Sequence, residues 1–155
     1  MFAGRTSSEG SRIKALKVKI SPGSIVRINC DFIENPKIKY IVIAHIDFEN
    51  NSSLVFIINS KIPQFIERDS HLKAGQIALN KSEYPFFPNE CSFLNCIEVY
   101  EGLDLDFMIN HLLDNPGEYK GKLLNVDIQK LISFAKIAQT IPQADKQKIV
   151  NSFGQ

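Results

Sequence analysis

Lys39-Tyr40-Ile41-Val42-Ile43-Ala44-His45-Ile46 and, after a polar break, Leu54-Val55-Phe56-Ile57-Ile58-Asn59-Ser60 are the two stretches that set the fold class. Both are short, rich in β-branched residues and apolar at consecutive positions, the pattern of central strands. Glu49-Asn50-Asn51-Ser52 between them reads as a turn. Upstream, Val26, Ile28, Cys30 and Phe32 alternate with Arg27, Asn29 and Asp31, which predicts a strand with one buried and one wet face. Ser21-Pro22-Gly23 forms a turn before that strand, and Glu34-Asn35-Pro36 breaks it. Short polar connections make the three strands an antiparallel meander.

Downstream, residues 61–75 read as a long loop with one helical turn at Gln64-Phe65-Ile66. Gln76-Ile77-Ala78-Leu79 is a short strand and Tyr84-Pro85-Phe86-Phe87-Pro88 a rigid apolar loop. Phe93, Asn95, Ile97 and Val99 alternate with Leu94, Cys96 and Glu98 in a last strand. About five short strands close most economically into a small antiparallel barrel of the SH3 type, because closure removes the edges. After Gly102 the period becomes helical. Leu105, Met108, Ile109 and Leu112 share one face before Asn115-Pro116-Gly117, and Ile128, Leu131, Ile132 and Ala135 share another. Thr140-Ile141-Pro142-Gln143 then opens a short helix ending near Ser152. The expected fold is therefore α+β. It has a disordered arm over residues 1–16, and a single domain over 17–155 with the barrel in 17–101 and two or three helices in 103–153.

Composition narrows the function classes. The 155 residues carry a net charge of +1, so nothing in the overall field invites nucleic acid or membrane. The first 20 residues hold +4 of local charge (Arg5, Arg12, Lys14, Lys17 and Lys19 against Glu9), a basic arm that either touches phosphate or is simply solvated. No apolar run reaches the roughly 18 residues that span a bilayer, and the N-terminus lacks a secretory h-region, so a cytoplasmic location is expected. Cys30, Cys91 and Cys96 form no C-x-x-C, and His45, His71 and His111 make no metal spacing with them. Neither a metal nor a cofactor is expected.

Gly23-Ser24-Ile25-Val26, the apolar strand entered through Lys39, and Phe56-Ile57-Ile58-Asn59-Ser60 together resemble the PemK/MazF-like toxin family over about residues 20–100. In that family a Gly-Asp-Ile-Val-type strand is followed by an Arg-Pro before an apolar strand, then by a strand ending in Ser or Thr. The resemblance implies an SH3-like barrel of toxin–antitoxin or defence type, dimeric, binding single-stranded RNA. An antitoxin or other protein would be its partner, and its activity, where present, would be that of a metal-independent endoribonuclease. The basic position is Lys39 here, with Lys37 beside it, where the family has Arg; a lysine lacks the bidentate fork of a guanidinium.

RNA cleavage without a metal needs a base, an acid and a cation for the phosphate in transit. On that scheme Lys39 or Arg27 supplies the cation, Ser60 orients the phosphate, and His45 is the acid/base. The bland alternative makes Lys39 and Arg27 solvent-facing and Ser60 a strand end. His45 and Asp47, two apart on one strand, form either a polarised pair or an ordinary exposed one. Tyr84, Phe86 and Phe87 form either an RNA-stacking platform or, with two flanking prolines and no adjacent basic cluster, a packed loop, and Lys37 beside Lys39 is a further candidate RNA contact. Two further classes stay open. One is a non-catalytic SH3-like module for a protein partner. The other is a DNA-binding regulator using the C-terminal helices, with Lys146 and Lys148 on the last of them.

Overall fold

The computed structural model describes residues 7–154. In chain order it runs α1 (Ser7–Lys19), β1 (Ser24–Cys30), β2 (Lys37–Asp47), β3 (Ser52–Asn59), α2 (Gln64–Glu67), α3 (Ser70–Ala74), β4 (Gln76–Asn80) and β5 (Cys91–Tyr100). It continues through α4 (Leu105–Asp114), a 3-10 turn (Pro116–Glu118), β6 (Tyr119–Lys122), α5 (Asn125–Ile137) and α6 (Gln143–Ser152). The class is α+β, with six antiparallel strands in the order β4-β5-β3-β2-β1-β6.

The expected barrel does not form. β4 and β6 are the two edges and do not pair with one another, so the sheet stays open. The reason lies in β2 and β3, which bury consecutive side chains on both faces. On one face Val42, Ala44, Phe56 and Ile58 meet Leu131, Phe134 and Ala135 of α5 and Ile149 of α6. On the other, Ile41, Ile43, Val55 and Ile57 meet Met108, Ile109 and Leu112 of α4 and Ile13 of α1. Helices thus cover both sides of an antiparallel sheet, and two cores take the place of one enclosed interior. The ladder shifts register between Ile43 and His45 and again between Val55 and Ile57, irregularities that bend and twist the sheet.

Two other elements depart from expectation. Over Ser7–Lys19 the chain is helical where a disordered arm is expected, and residues 1–6 of that arm lie outside the described residues. Ile13 anchors α1 on the α4 face, with Leu16 packing beside it. β6 has no counterpart among the expected strands; it pairs with β1 through Ser24–Lys122 and Val26–Tyr119.

Gly75, just before β4, is a point of close approach. A Cβ there would lie 2.5 Å from Ile97 Cγ2 and 2.7 Å from Phe134 Cζ, so α5 could not seat against β5. Gly75→Ala is expected to cost about 1–3 kcal/mol through this overpacking, read as a lower urea midpoint with an unchanged m-value.

Candidate nucleic-acid interface

Lys37 and Lys39 are two apart on β2 and therefore share a face, the one that carries Ile41 and Ile43. Beyond the ends of α1 and α4 that face is not roofed, and a cleft of about 260 Å3 opens there. Glu34 and Asn35 border it from the β1–β2 loop, Asn59 from β3, and Asn95 and Tyr100 from β5. A second cleft, of about 210 Å3, shares Lys37, Lys39 and Asn59 and continues past Ser60 to Asn89 and Ser92. The first opens on the Ile57 face of the sheet and the second, lined by Tyr40 and Ile58, on the opposite face, so together they make a polar track that wraps around the end of the central strands.

The electrostatics of the track follow from its lysines. Lys39 Nζ donates to Asn59 Oδ1 at 2.5 Å. Its pKa is lowered, first by partial burial and then by the like charge of Lys37, with Cys30 opposing. Among the described residues neither lysine makes an ion pair, and Glu34, although it lines the cleft, stays outside salt-bridge range of both. The two ammonium groups repel one another, and no described carboxylate neutralises either. Cys30, fully buried, is no nucleophile, because burial pushes its thiol up to about 11 despite the nearby Lys39.

Of the residues singled out from sequence, Lys37, Lys39 and Ser60 come together along this track. Arg27 does not join them. It stands opposite Tyr40 on the other sheet face, its guanidinium held by Glu118 at 3.1 Å. His45 lies six residues from Lys39 along β2, about 20 Å of extended chain, and its Nδ1 sits 2.6 Å from Ser152 Oγ of α6. Burial and the positive charge of Lys148 lower its pKa, so the imidazole is neutral near pH 7. The charge of Asp47 opposes that shift, but its carboxylate accepts from the Asn50 backbone and side chain in the following turn, not from the imidazole.

The aromatic loop resolves as packing. Tyr84 is 2% exposed, which removes it as a stacking platform. Its hydroxyl donates to buried Asp127 and accepts from the Leu124 amide. Phe86 is half-buried within a cluster of Tyr40, Tyr84 and Phe87, and its carbonyl accepts from Tyr40 Oη at 3.1 Å. It backs the wall that Tyr40 gives the second cleft rather than facing a ligand. The residues that sequence reasoning missed are the amides Asn59, Asn89 and Asn95. They carry no positional signal, because only the pairing of β3 with β5 brings Asn59 and Asn95 near each other.

Among the described residues no group of three or more His, Cys, Asp or Glu side chains is placed to hold a metal ion. No helix among them is long and apolar enough to cross a membrane. What the fold and the track define is a class, an α+β sandwich with an open antiparallel sheet and a lysine-bearing polar cleft at one end of it. Compared with family models, curated proteins and solved structures, the chain matches none of them.

Proposed function

We propose that this protein binds single-stranded RNA, with the phosphate backbone seated on Lys37 and Lys39 and the bases against the amides of the track. The observation that carries the reading is the pair of lysines, neither of them ion-paired among the described residues, shared by two clefts that Asn59 and Asn95 line on one side and Asn59 and Ser60 on the other. A phosphodiester relieves their mutual repulsion, and the side-chain N–H groups of Asn59 and Asn95, whose Oδ1 atoms already accept from Lys39 and from Gln76 and the Ile97 N–H, offer donors to exposed base edges. The reading keeps the RNA ligand and the Lys39 and Ser60 positions that the PemK/MazF-like resemblance implies, and leaves the barrel behind. It is a reading of binding, since neither His45 nor any other histidine lines the track.

The test is fluorescence anisotropy with a labelled mixed-sequence RNA in EDTA, repeated across a salt series. Replacing both Lys37 and Lys39 by alanine is expected to weaken binding roughly 10- to 30-fold at low salt. It should also flatten the slope of log K against log salt by about 1.4, the contribution of two neutralised phosphates on a single strand. The RNA should be recovered uncut. Equal affinity and slope in the double variant would end the proposal. Defined cuts that vanish in Lys39→Ala and Ser60→Ala would replace it with a metal-independent endoribonuclease.

A further inference from the structure

The two sheet edges are not alike. β6 is four residues long and carries Lys120 and Lys122 either side of Gly121, the charged, short form that discourages strand addition. β4 has no such guard. Cys96 N–H donates to Gly75 O at 2.8 Å and Lys81 N–H to Glu90 O at 2.9 Å. In that antiparallel register Ile77 and Leu79 make the remaining ladder bonds to β5. The backbone N–H and C=O groups of Gln76 and Ala78, and the N–H of Asn80, then point away from the sheet. No described strand pairs with that side.

Beside this edge runs a groove of about 570 Å3, walled by Ala74, Ile77 and Ala78 on one side and by α5 on the other. The α5 wall is a single helical stripe, Val126, Gln129, Lys130, Ser133 and Ile137, at spacings of three and four residues. Val126 and Ile137 at its ends are 56% and 63% exposed, although Leu131, Ile132 and Ala135 of the same helix are buried in the core. α5 therefore leaves two exposed apolar side chains, Val126 and Ile137, at the ends of a stripe whose middle, Gln129, Lys130 and Ser133, is polar. No carboxylate lines the groove, whereas Lys130 does, Lys136 is exposed on the next turn of α5, and Lys81 follows β4.

We infer that the outer edge of β4 takes a short extended peptide as an added strand, with two or three alternate apolar side chains in the groove against α5 and acidic residues at its ends. The free backbone row selects an extended chain, and strand periodicity delivers every second side chain to the α5 face. Lys130, which is largely in solvent and 3.8 Å from Asp127, with Lys81 and Lys136 beyond the groove, selects the charge of the flanking residues. β4 spans about 17 Å, enough for five residues of ligand. A groove of this size holds two or three side chains. The groove touches the RNA track at one point, where Gln76 Nε2 donates to Asn95 Oδ1 at 2.7 Å, and the inference does not rest on RNA binding.

The probe is a fluorescein-labelled ten-residue peptide with valine or leucine at three alternate central positions, threonine between them and glutamate at both ends, titrated against the full chain. Controls are the same composition with the apolar residues clustered, and the same pattern with lysine for glutamate. Saturable binding is expected for the alternating acidic peptide, at least tenfold tighter than for either control. Ala78→Pro removes only an outward N–H and leaves the β5 ladder intact, so it should lower affinity at least tenfold while RNA binding and the urea midpoint hold. Ser133→Arg, which fills the groove without touching β4, should do the same. Independently, the Gln76, Ala78 and Asn80 amides should exchange quickly in the free chain and slowly with peptide bound. Unchanged affinity in folded Ala78→Pro, or no protection of those three amides, would overturn the proposal. So would a dimer in light scattering that Ala78→Pro dissociates, since the edge would then belong to a second copy.

Discussion

Phe56→Ala is expected to destabilise the protein by about 3–5 kcal/mol, a large share of the 5–15 kcal/mol typical of a domain. Phe56 is fully buried on β3, paired with Val42 of β2, and belongs to the core shared with α5 and α6. Truncation removes an aromatic ring and leaves a cavity that the rigid sheet on one side and two helices on the other cannot close. The cost is therefore the transfer term plus the cavity term, at the upper end for a core substitution. For a chain of this length that is a fall in Tm of roughly 10–15 °C. With four tyrosines and no tryptophan, tyrosine fluorescence and circular dichroism in urea are the natural readouts. Phe65→Ala is the control: that ring is 65% exposed, and its loss should cost no more than about 0.5 kcal/mol. A loss below about 1 kcal/mol for Phe56→Ala would mean that α5 and α6 do not close over this face.

That closure explains why the strands were legible in the sequence and their arrangement was not. The central strands expected at 39–46 and 54–60 lie within β2 and β3 or at their ends, because β-branched runs bounded by turns have few alternatives. The same runs held the signal against a barrel. A small barrel wall has one inward face, so its strands should alternate, whereas Ile41-Val42-Ile43-Ala44 is buried at every position and requires cover on both sides. Most of the covering layer was visible as helical periodicity after Gly102. α1 was not, because in a polar stretch containing Gly10 only Ile13, Leu16 and Ile20 carry its contact with the α4 face. β6 was invisible for a different reason: Tyr119-Lys120-Gly121-Lys122 has no apolar alternation and joins the sheet through its backbone. The site divides the same way. Lys37, Lys39 and Ser60 meet because β2 and β3 are neighbours in sequence as well as in space. Asn95 joins them through the non-sequential pairing of β3 with β5, and His45 is carried off by six residues of strand.

Tyr84→Phe is expected to cost about 2–4 kcal/mol for the loss of one oxygen atom. The hydroxyl donates to Asp127 Oδ2 at 2.5 Å and accepts from the Leu124 N–H at 2.9 Å, at the point where the chain enters α5. Asp127 is 3% exposed, and its other described charged contact is Lys130 Nζ at 3.8 Å, a lysine largely in solvent. Without the hydroxyl a buried carboxylate oxygen and a backbone N–H are left unsatisfied together, which is why the penalty exceeds that of an ordinary hydrogen bond. The same bond holds the phenol proton: burial first, then Asp127, push the Tyr84 pKa above its usual value. Asp127→Asn, which keeps an acceptor oxygen and removes the charge, should cost less than Tyr84→Phe. In the double variant the two losses should fall short of their sum, because they break one interaction. Additive losses in that cycle, or a Tyr84→Phe effect within 0.5 kcal/mol, would show that the Tyr84–Asp127 contact contributes nothing. Because Val126, Gln129 and Lys130 follow directly in α5, the anchor also positions the helix wall of the β4 groove. Tyr84→Phe should therefore weaken the alternating acidic peptide while leaving RNA affinity, set by Lys37 and Lys39, unchanged.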